Sequence, residues 1–540
     1  MEKMKNKKLV IVFFVLFYFV AFFTRLYWIS QKEGFNFDEF STVVLACYNE
    51  YVWEKNYELN KFFSGKEIKE MTLCDDGTLK GAITDVLYLY KYNRDTPHTN
   101  LYYSLLRISF LGLETGDMQQ IFFRGAILNL IFFSISFVFF FLLVRLIFED
   151  DFISLVAVFC TFMSIAAISN TLFMRPYQLQ ETFFIVFAYF VLKHINKSKI
   201  IQTEDKSFIH INFKLLLSTS IITAFTLLTG YYTIIYIFLF GLFIIWYNKI
   251  ENNFDKEKLK QEFIFYGIAL LLAFLIAQFL YTRYVLGYIS YRSTGTFRTV
   301  LLDKGFLGNC YISIIAALKI FYKHYFVDYV LVAIISLSVY LFAVKNKLDV
   351  RVKHIGLFFI AVAFTFLIMY VAPFKMLRYV MPVFPFLTML PIVLLRSIKK
   401  NNHKMFFAIL LIIAFEISAY NEENIAHLYK NKIAEYKFTE EIELPVLMAV
   451  EEKEYWGYGD IVPFLNDEQK YIFAENIEDI DINISLLKDF EEFFVVIHHH
   501  AISEVDIDMS RFKILSEYYI SYNVDVGKYF IKCFKLKRLE

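Results

Sequence analysis

The chain has 540 residues, 58% of them hydrophobic and 20% aromatic, with a net charge of +1 and a mean hydropathy of +0.48. So neutral a balance gives no electrostatic footprint for nucleic acid or an acidic macromolecular partner, and the apolar excess excludes an ordinary water-soluble chain. Apolar residues gather in blocks of roughly 15 to 23, the length that crosses ~30 Å of hydrocarbon as a helix, so the chain reads as a polytopic α-helical membrane protein.

In chain order, the lysine-rich start is followed by the apolar run Leu9 to Ile29, which is too long for a signal peptide and lacks a small-residue cleavage site. It reads as an uncleaved first span. Further blocks fall at Ala126 to Phe148, Phe152 to Ile168, Tyr177 to Leu192, Leu215 to Leu228 and Tyr231 to Tyr247. Then come Phe263 to Tyr281, Tyr329 to Val344, Ile355 to Val371, Tyr379 to Leu395 and Met405 to Ala419, for about eleven spans. Lysine and arginine cluster in alternate connections, around Lys193 to Lys206, Lys249 to Lys260, Lys345 to Lys353 and Arg396 to Lys404. The positive-inside rule then puts the N-terminus in the cytoplasm and the chain in the cytoplasmic (inner) membrane as a multi-pass protein. Segments Ser30 to Ile121, Leu286 to Phe326 and Tyr420 to Glu540 face outward on that reading.

The expected domains are therefore a transmembrane part over 1–420, with an outer loop at 30–121, and an extracytoplasmic part over 421–540. After Ala419 the apolar runs shorten to strand length, at Leu444 to Val450, Phe493 to Ile497 and Lys528 to Phe534, as in a small soluble α/β domain. Five cysteines form no CxxC pair, so no zinc site is indicated, while a Cys47 to Cys74 bridge stays open. His498-His499-His500 end an expected strand, where alternating side chains cannot all reach one metal.

Chemistry is sought where polar residues sit against the apolar background. Asp38-Glu39 follows the first span, and an acid beside lipid is costly enough to need a reason. The bland reading of Asp38 is a helix N-cap. Arg175 and Arg378 stand at the outer starts of the fourth and tenth spans, against the orientation bias; each guanidinium is a planar fork suited to phosphate oxygens. The bland reading there is snorkelling to head groups. Between Asp38-Glu39 and Arg175 in the sequence, Asp95-Thr96-Pro97-His98 precedes Leu101 to Phe110, which fits an amphipathic helix on the membrane, and His98 has the chemistry of a proton carrier, a metal ligand or an orienting donor.

In order and on one side of the membrane, these pieces resemble the GT-C superfamily of membrane glycosyltransferases, more narrowly the protein O-mannosyltransferase and lipid A aminoarabinose transferase group. The resemblance rests on Asp38-Glu39, on Pro97-His98-Thr99-Asn100-Leu101-Tyr102-Tyr103, on Arg175-Pro176-Tyr177 and on Arg378-Tyr379-Val380-Met381-Pro382, and covers roughly residues 1 to 420. Thr99-Asn100 replaces the usual prolines, and Gly230-Tyr231-Tyr232 stands where many relatives have His-Tyr. The resemblance implies a GT-C-like fold and inverting transfer from a polyprenyl-phosphate sugar donor to a lipid, protein or glycan acceptor. It implies Asp38 and Glu39 as catalytic residues, Arg175, Arg378 and Lys375 as donor phosphate ligands, and His98, Tyr102, Tyr177, Asp95 and Tyr379 as substrate-binding residues. No cofactor is required by this reading, and a divalent metal is left open. A transporter or flippase, or a GT-C-fold assembly protein without activity, are the alternatives.

Overall fold

The computed structural model describes residues 7–49, 57–73, 76–113, 118–201, 213–251, 256–289, 305–346, 348, 350–430, 436–449, 461–475, 477–497, 510–524 and 527–539. Cys74 and His498-His499-His500 lie outside the described residues. The chain forms two compact units, one of Met1–Ser30, Tyr90–Tyr102 and Ala126–Ala426, the other of Gln31–Leu89, Tyr103–Gly125 and His427–Glu540.

The first unit is helical, because within hydrocarbon only a helix satisfies every backbone N–H and C=O inside one segment. Its helices are apolar on most faces, and in Lys256–Leu280 the side chains of Leu271 and Phe279 remain 63% and 75% exposed, an arrangement suited to lipid rather than water. Six helices are long and apolar enough to cross a membrane: Lys7–Ser30, Met118–Phe148, Thr233–Glu251, Leu259–Leu280, Val352–Val371 and Asn401–Ala419. Two bent pairs, Asp151–Phe162 with Ile165–Leu172 and Leu307–His324 with Asp328–Ala343, bring the number to eight if each is one span. The protein is thus multi-pass.

Each of the eleven apolar blocks lies on helical structure, but among the described residues several are too short or too irregular to cross alone. Phe213–Leu227 has 15 residues. The block Tyr379 to Leu395 is not one α-helix: Met381–Thr388 winds as a fully buried 3-10 helix holding Pro382 and Pro385 before Met389–Arg396 turns α-helical. Proline removes a helical donor and crowds the preceding turn, which the tighter winding tolerates. Residues 286–326, expected as a connection, contain the helix Phe306–His324, whose Asn309 and Lys319 interrupt the apolar run that marks a span.

The second unit is built on a mixed sheet in the order β1-β3-β2-β4-β6-β5, with strands β1 (Phe62–Ser64), β2 (Val446–Ala449), β3 (Lys470–Ala474), β4 (Glu492–Ile497), β5 (Phe512–Val524) and β6 (Gly527–Arg538). The central strand β2 runs parallel to both β3 and β4, while β1, β5 and β6 add antiparallel edges. Val446, Leu447, Met448 and Ala449 are all buried, as a continuous apolar run in a two-sided strand requires. Ile480, Ile484 and Leu487 cover one face, closing over Leu447, Ile472, Phe493, Val495 and Leu536. The strands expected near 446, 493 and 528 are present. Strand β1 is contributed by the segment after the first span, so Phe62 pairs with Ile472 across some four hundred residues of sequence.

A single amide ties this unit's loops. Gln469, fully buried, donates to the carbonyls of Phe438 at 2.7 Å, Glu441 at 3.2 Å and Leu444 at 2.9 Å, and accepts from the Tyr471 hydroxyl at 2.7 Å. Gln469→Leu strands these groups and is expected to cost about 3 kcal/mol, read as faster amide hydrogen exchange across β2 and β3 in the intact protein.

Candidate active site

The site in the first unit starts from a tight turn. Arg175 N donates to Phe173 O at 2.7 Å, and the Pro176 carbonyl accepts the opening helical bond from Gln180 N at 2.9 Å, starting the helix Tyr177–Ile201. Proline suits that place because its missing N–H is an orphan there anyway. The Phe173 and Tyr177 rings stack at 5.8 Å and 3°. On the other side of the same cluster lie Leu377, Tyr379 and Met381, with Tyr379 meeting Tyr177 edge-on at 6.3 Å and Tyr232 at 5.8 Å. Two motifs about two hundred residues apart thus share one aromatic core.

This core walls an open pocket lined by His98, Pro176, Tyr177, Gln180, Thr229, Gly230, Tyr231, Tyr232 and Tyr379. His98 meets the Tyr231 ring edge-on at 5.8 Å. The loop bearing it is pinned by Asn93, whose Nδ2 donates to His98 O at 2.9 Å and to the Tyr281 hydroxyl at 3.1 Å, and by Thr99, whose hydroxyl donates to Leu228 O. Arg378 lies over the Tyr379 ring at 5.2 Å and reaches its hydroxyl at 3.4 Å, and Arg175 is buried one residue before Pro176.

Other sequence candidates have supporting places. Tyr102, expected to touch substrate, is buried and donates to Asn129 Oδ1 at 3.1 Å; Asn129 Nδ2 in turn donates to Thr171 O at 3.1 Å and Phe173 O at 2.9 Å, clamping the turn that carries Arg175. Asp95 is buried, its backbone carbonyl accepting from His98 N at 2.7 Å. Lys375, expected at the phosphate, instead donates to the carbonyls of Tyr370 at 3.4 Å and Ala372 at 3.0 Å, closing the end of the helix Val352–Val371. Burial holds its ammonium below the ordinary lysine value.

Asp38 and Glu39 belong to the second unit and differ from each other. The N-cap of helix Phe37–Ala46 is Asn36, not Asp38. Asn36 Oδ1 accepts from Glu39 N at 3.0 Å, and Asn36 N donates to Glu39 Oε2 at 3.1 Å, completing a capping box. Glu39 is fully buried, and its other oxygen is ion-paired with buried Lys32, an ammonium ringed by Phe35, Phe122 and Tyr429 at 5.5 to 5.6 Å. Both of its carboxylate oxygens are thus engaged within the unit. Asp38, the second residue of the helix, is partly exposed, in a position where the helix dipole favours an anion.

Among the described residues no group of three or more His, Cys, Asp or Glu is arranged to hold a metal ion. No family model and no curated protein matches the chain. Among solved structures it is similar to ArnT from Cupriavidus metallidurans bound to undecaprenyl phosphate, with 10% identity over 96% of this chain and 97% of that one and a TM-score of 0.49. The Archaeoglobus fulgidus oligosaccharyltransferase in its apo form gives 11% identity over 93% of this chain and 71% of that one, with a TM-score of 0.49. Archaeal oligosaccharyltransferase AglB from the same organism, in complex with an inhibitory peptide and a dolichol-phosphate, gives 11% identity, coverage of 91% and 70%, and a TM-score of 0.45.

Beneath the pocket runs a polar network that sequence reasoning missed. Arg25, fully buried in the first helix, donates to Thr171 Oγ1 at 3.0 Å and Phe162 O at 2.9 Å and packs on Phe133 at 3.8 Å. Thr171 donates to Gln178 Oε1 at 2.8 Å, and buried Glu181 accepts from Gln178 at 2.9 Å and Asn170 at 2.9 Å. Asn170 also donates to Tyr177 O at 3.3 Å. The available signal was an arginine and a glutamate inside or beside apolar blocks, which is rarely idle. Glu181→Leu, which strands two amide donors, is expected to lower stability by about 2 kcal/mol, measured as a fall in thermal unfolding midpoint in detergent; Asn36→Ala should cost about 1 kcal/mol through the lost cap.

Proposed function

We propose that this chain is a GT-C-type membrane glycosyltransferase that moves a sugar from a polyprenyl-phosphate donor to an acceptor hydroxyl at the outer face of the cytoplasmic membrane. The observation that carries the reading is the shared core of Arg175-Pro176-Tyr177 and Arg378-Tyr379-Val380-Met381-Pro382 beside a pocket also lined by His98. The lysine-rich connections support the orientation. On that orientation the segment 421–540 is extracytoplasmic, and from His427 on it shares its unit with Gln31–Leu89 and Tyr103–Gly125.

In the reaction, the acceptor oxygen attacks the anomeric carbon while its proton passes to a carboxylate base, the role that the motif resemblance gives to Asp38. The bond between that carbon and the phosphate oxygen breaks, its electron pair leaves with the polyprenyl phosphate, and the stereochemistry inverts. Arg175 and Arg378 stabilise the departing phosphate, since guanidinium charge aimed at developing anionic oxygen lowers the barrier. Glu39 contributes by fixing the helix start that presents Asp38, and Lys375 by shaping the loop that carries Arg378. Undecaprenyl phosphate and dolichol-phosphate in the similar structures have the lipid-phosphate chemistry this donor requires. A transporter reading would look to Arg25 and Glu181, but both are engaged in hydrogen bonds that brace the Arg175 turn.

The test supplies polyprenyl-phosphate sugars and a soluble acceptor to the protein in nanodiscs. Asp38→Asn is expected to lower transfer by about a hundredfold or more, the usual size of a general-base contribution, with unchanged thermal unfolding. Equal turnover by wild type and Asp38→Asn would remove Asp38 from the mechanism. Arg378→Gln should weaken binding of bare polyprenyl phosphate.

A further inference from the structure

We infer that the helix Leu79–Tyr92 is a membrane-surface element, laying an exposed apolar stripe into a phospholipid bilayer beside the end of the span Leu259–Leu280 and setting two lysines among the lipid phosphates. Leu79, Ile83 and Leu87 recur at four-residue spacing, so they stand in one row along the helix, and they are 64%, 53% and 54% exposed. The helix packs by its other side: Gly81, Ala82 and Leu89 are buried, and Asp85 is ion-paired with Arg107 at 2.5 Å. With one face already committed to the fold, a second face of leucine and isoleucine marks an interaction surface.

A lipid surface is the occupant that the flanking residues fit. Lys80, Thr84 and Lys91 follow the stripe along one edge and are exposed, while Asp85, the helix's single acid, is taken up by Arg107. Apolar residues bordered by lysines, with the acid turned away, make the pattern of a helix lying in the interfacial plane. There the stripe enters the acyl boundary and long ammonium side chains reach the phosphates. A protein partner would meet the same leucines, but two lysines without a neighbouring carboxylate favour an anionic surface.

The place of the helix agrees. At its C-terminal end, Tyr90 O accepts from Thr282 Oγ1 at 2.8 Å and Asn93 O from Arg283 Nη1 at 3.1 Å. Thr282 and Arg283 lie just past the span Leu259–Leu280, where the chain leaves the hydrocarbon. From that point a helix of this length, about 20 Å, either stands off the bilayer or lies along it, and an exposed leucine row is costly in water and favourable in lipid. The segment Leu101 to Phe110, whose pattern also fits a membrane-surface helix, instead buries Tyr102, Tyr103, Leu106 and Phe110.

The test places a nitroxide in turn at Ile83→Cys, Leu87→Cys and Glu58→Cys of the full protein in phosphatidylcholine nanodiscs, with labelled wild type as the background. Collisions with oxygen, which concentrates in lipid, are compared with those of a water-soluble nickel chelate; Glu58, an exposed acid, gives the water-facing reference. The oxygen-to-nickel ratio is expected to be at least about threefold higher at 83 and 87 than at 58. It should rise further when phosphatidylglycerol makes up an equal part of the lipid, and Lys80→Gln with Lys91→Gln should abolish that rise. Nickel access at 83 and 87 equal to that at 58 would overturn the inference. So would exclusion of both reagents, the sign of a protein partner or a second copy on the stripe, or a ratio indifferent to phosphatidylglycerol with both lysines in place. No transfer is measured, so none of these outcomes bears on the catalytic reading.

Discussion

The turn from Phe173 to Pro176 is the constraint on which the first unit's site depends. An arginine buried at the start of an apolar helix is held only where the backbone around it has no freedom to relax, and here three sources of rigidity meet. Asn129 satisfies the carbonyls of Thr171 and Phe173, Phe173 stacks on Tyr177, and the Glu181 network grips the following helical turn through Gln178 and Asn170. In a low-dielectric interior each unmade hydrogen bond is expensive, so such a network admits one arrangement and excludes its neighbours. Tyr177 is thereby fixed, and with it the wall on which Tyr379 and Arg378 rest.

The second unit uses the same economy of polar groups for a different end. Lys32 and Glu39 are both buried, and Glu39 also closes the cap of the helix that bears Asp38. A buried pair of this kind adds less to stability than to definition, because breaking either half leaves an uncompensated charge. Within one dipeptide the two carboxylates differ: Glu39 is buried and closes the helix cap, while its neighbour Asp38 is partly exposed. The sheet belongs to this unit too, tied to the segment after the first span by β1.

What was legible beforehand followed from period and composition. The apolar blocks located helical structure, and the strands near 446, 493 and 528 were readable from short β-rich runs between acidic stretches. Strand β1, three residues long, carries no such pattern, and its pairing with β3 depends on residues far along the chain. The number of membrane-crossing helices was less accessible, since hydropathy sees an apolar block whether it forms a long helix, a bent pair or a proline-bearing 3-10 segment. Arg175, Arg378 and His98 stood out because cations and imidazoles are conspicuous against apolar surroundings. Arg25, Asn129 and Glu181 did not, because one polar residue within such a block barely alters its mean.

By itself, then, the sequence determined that this is a multi-pass helical membrane protein with a strand-forming tail, and which short polar motifs interrupt it. Those are local properties, set by side-chain transfer energies and by the spacing of residues along one element. Only the tertiary structure decided that Tyr177 and Tyr379 share a wall with His98, that Tyr102 and Lys375 serve as braces, and that Asn36 rather than Asp38 caps its helix. Each of those outcomes is a matter of which groups satisfy one another across the fold, and hydrogen-bond satisfaction between distant segments leaves no trace in the composition of either.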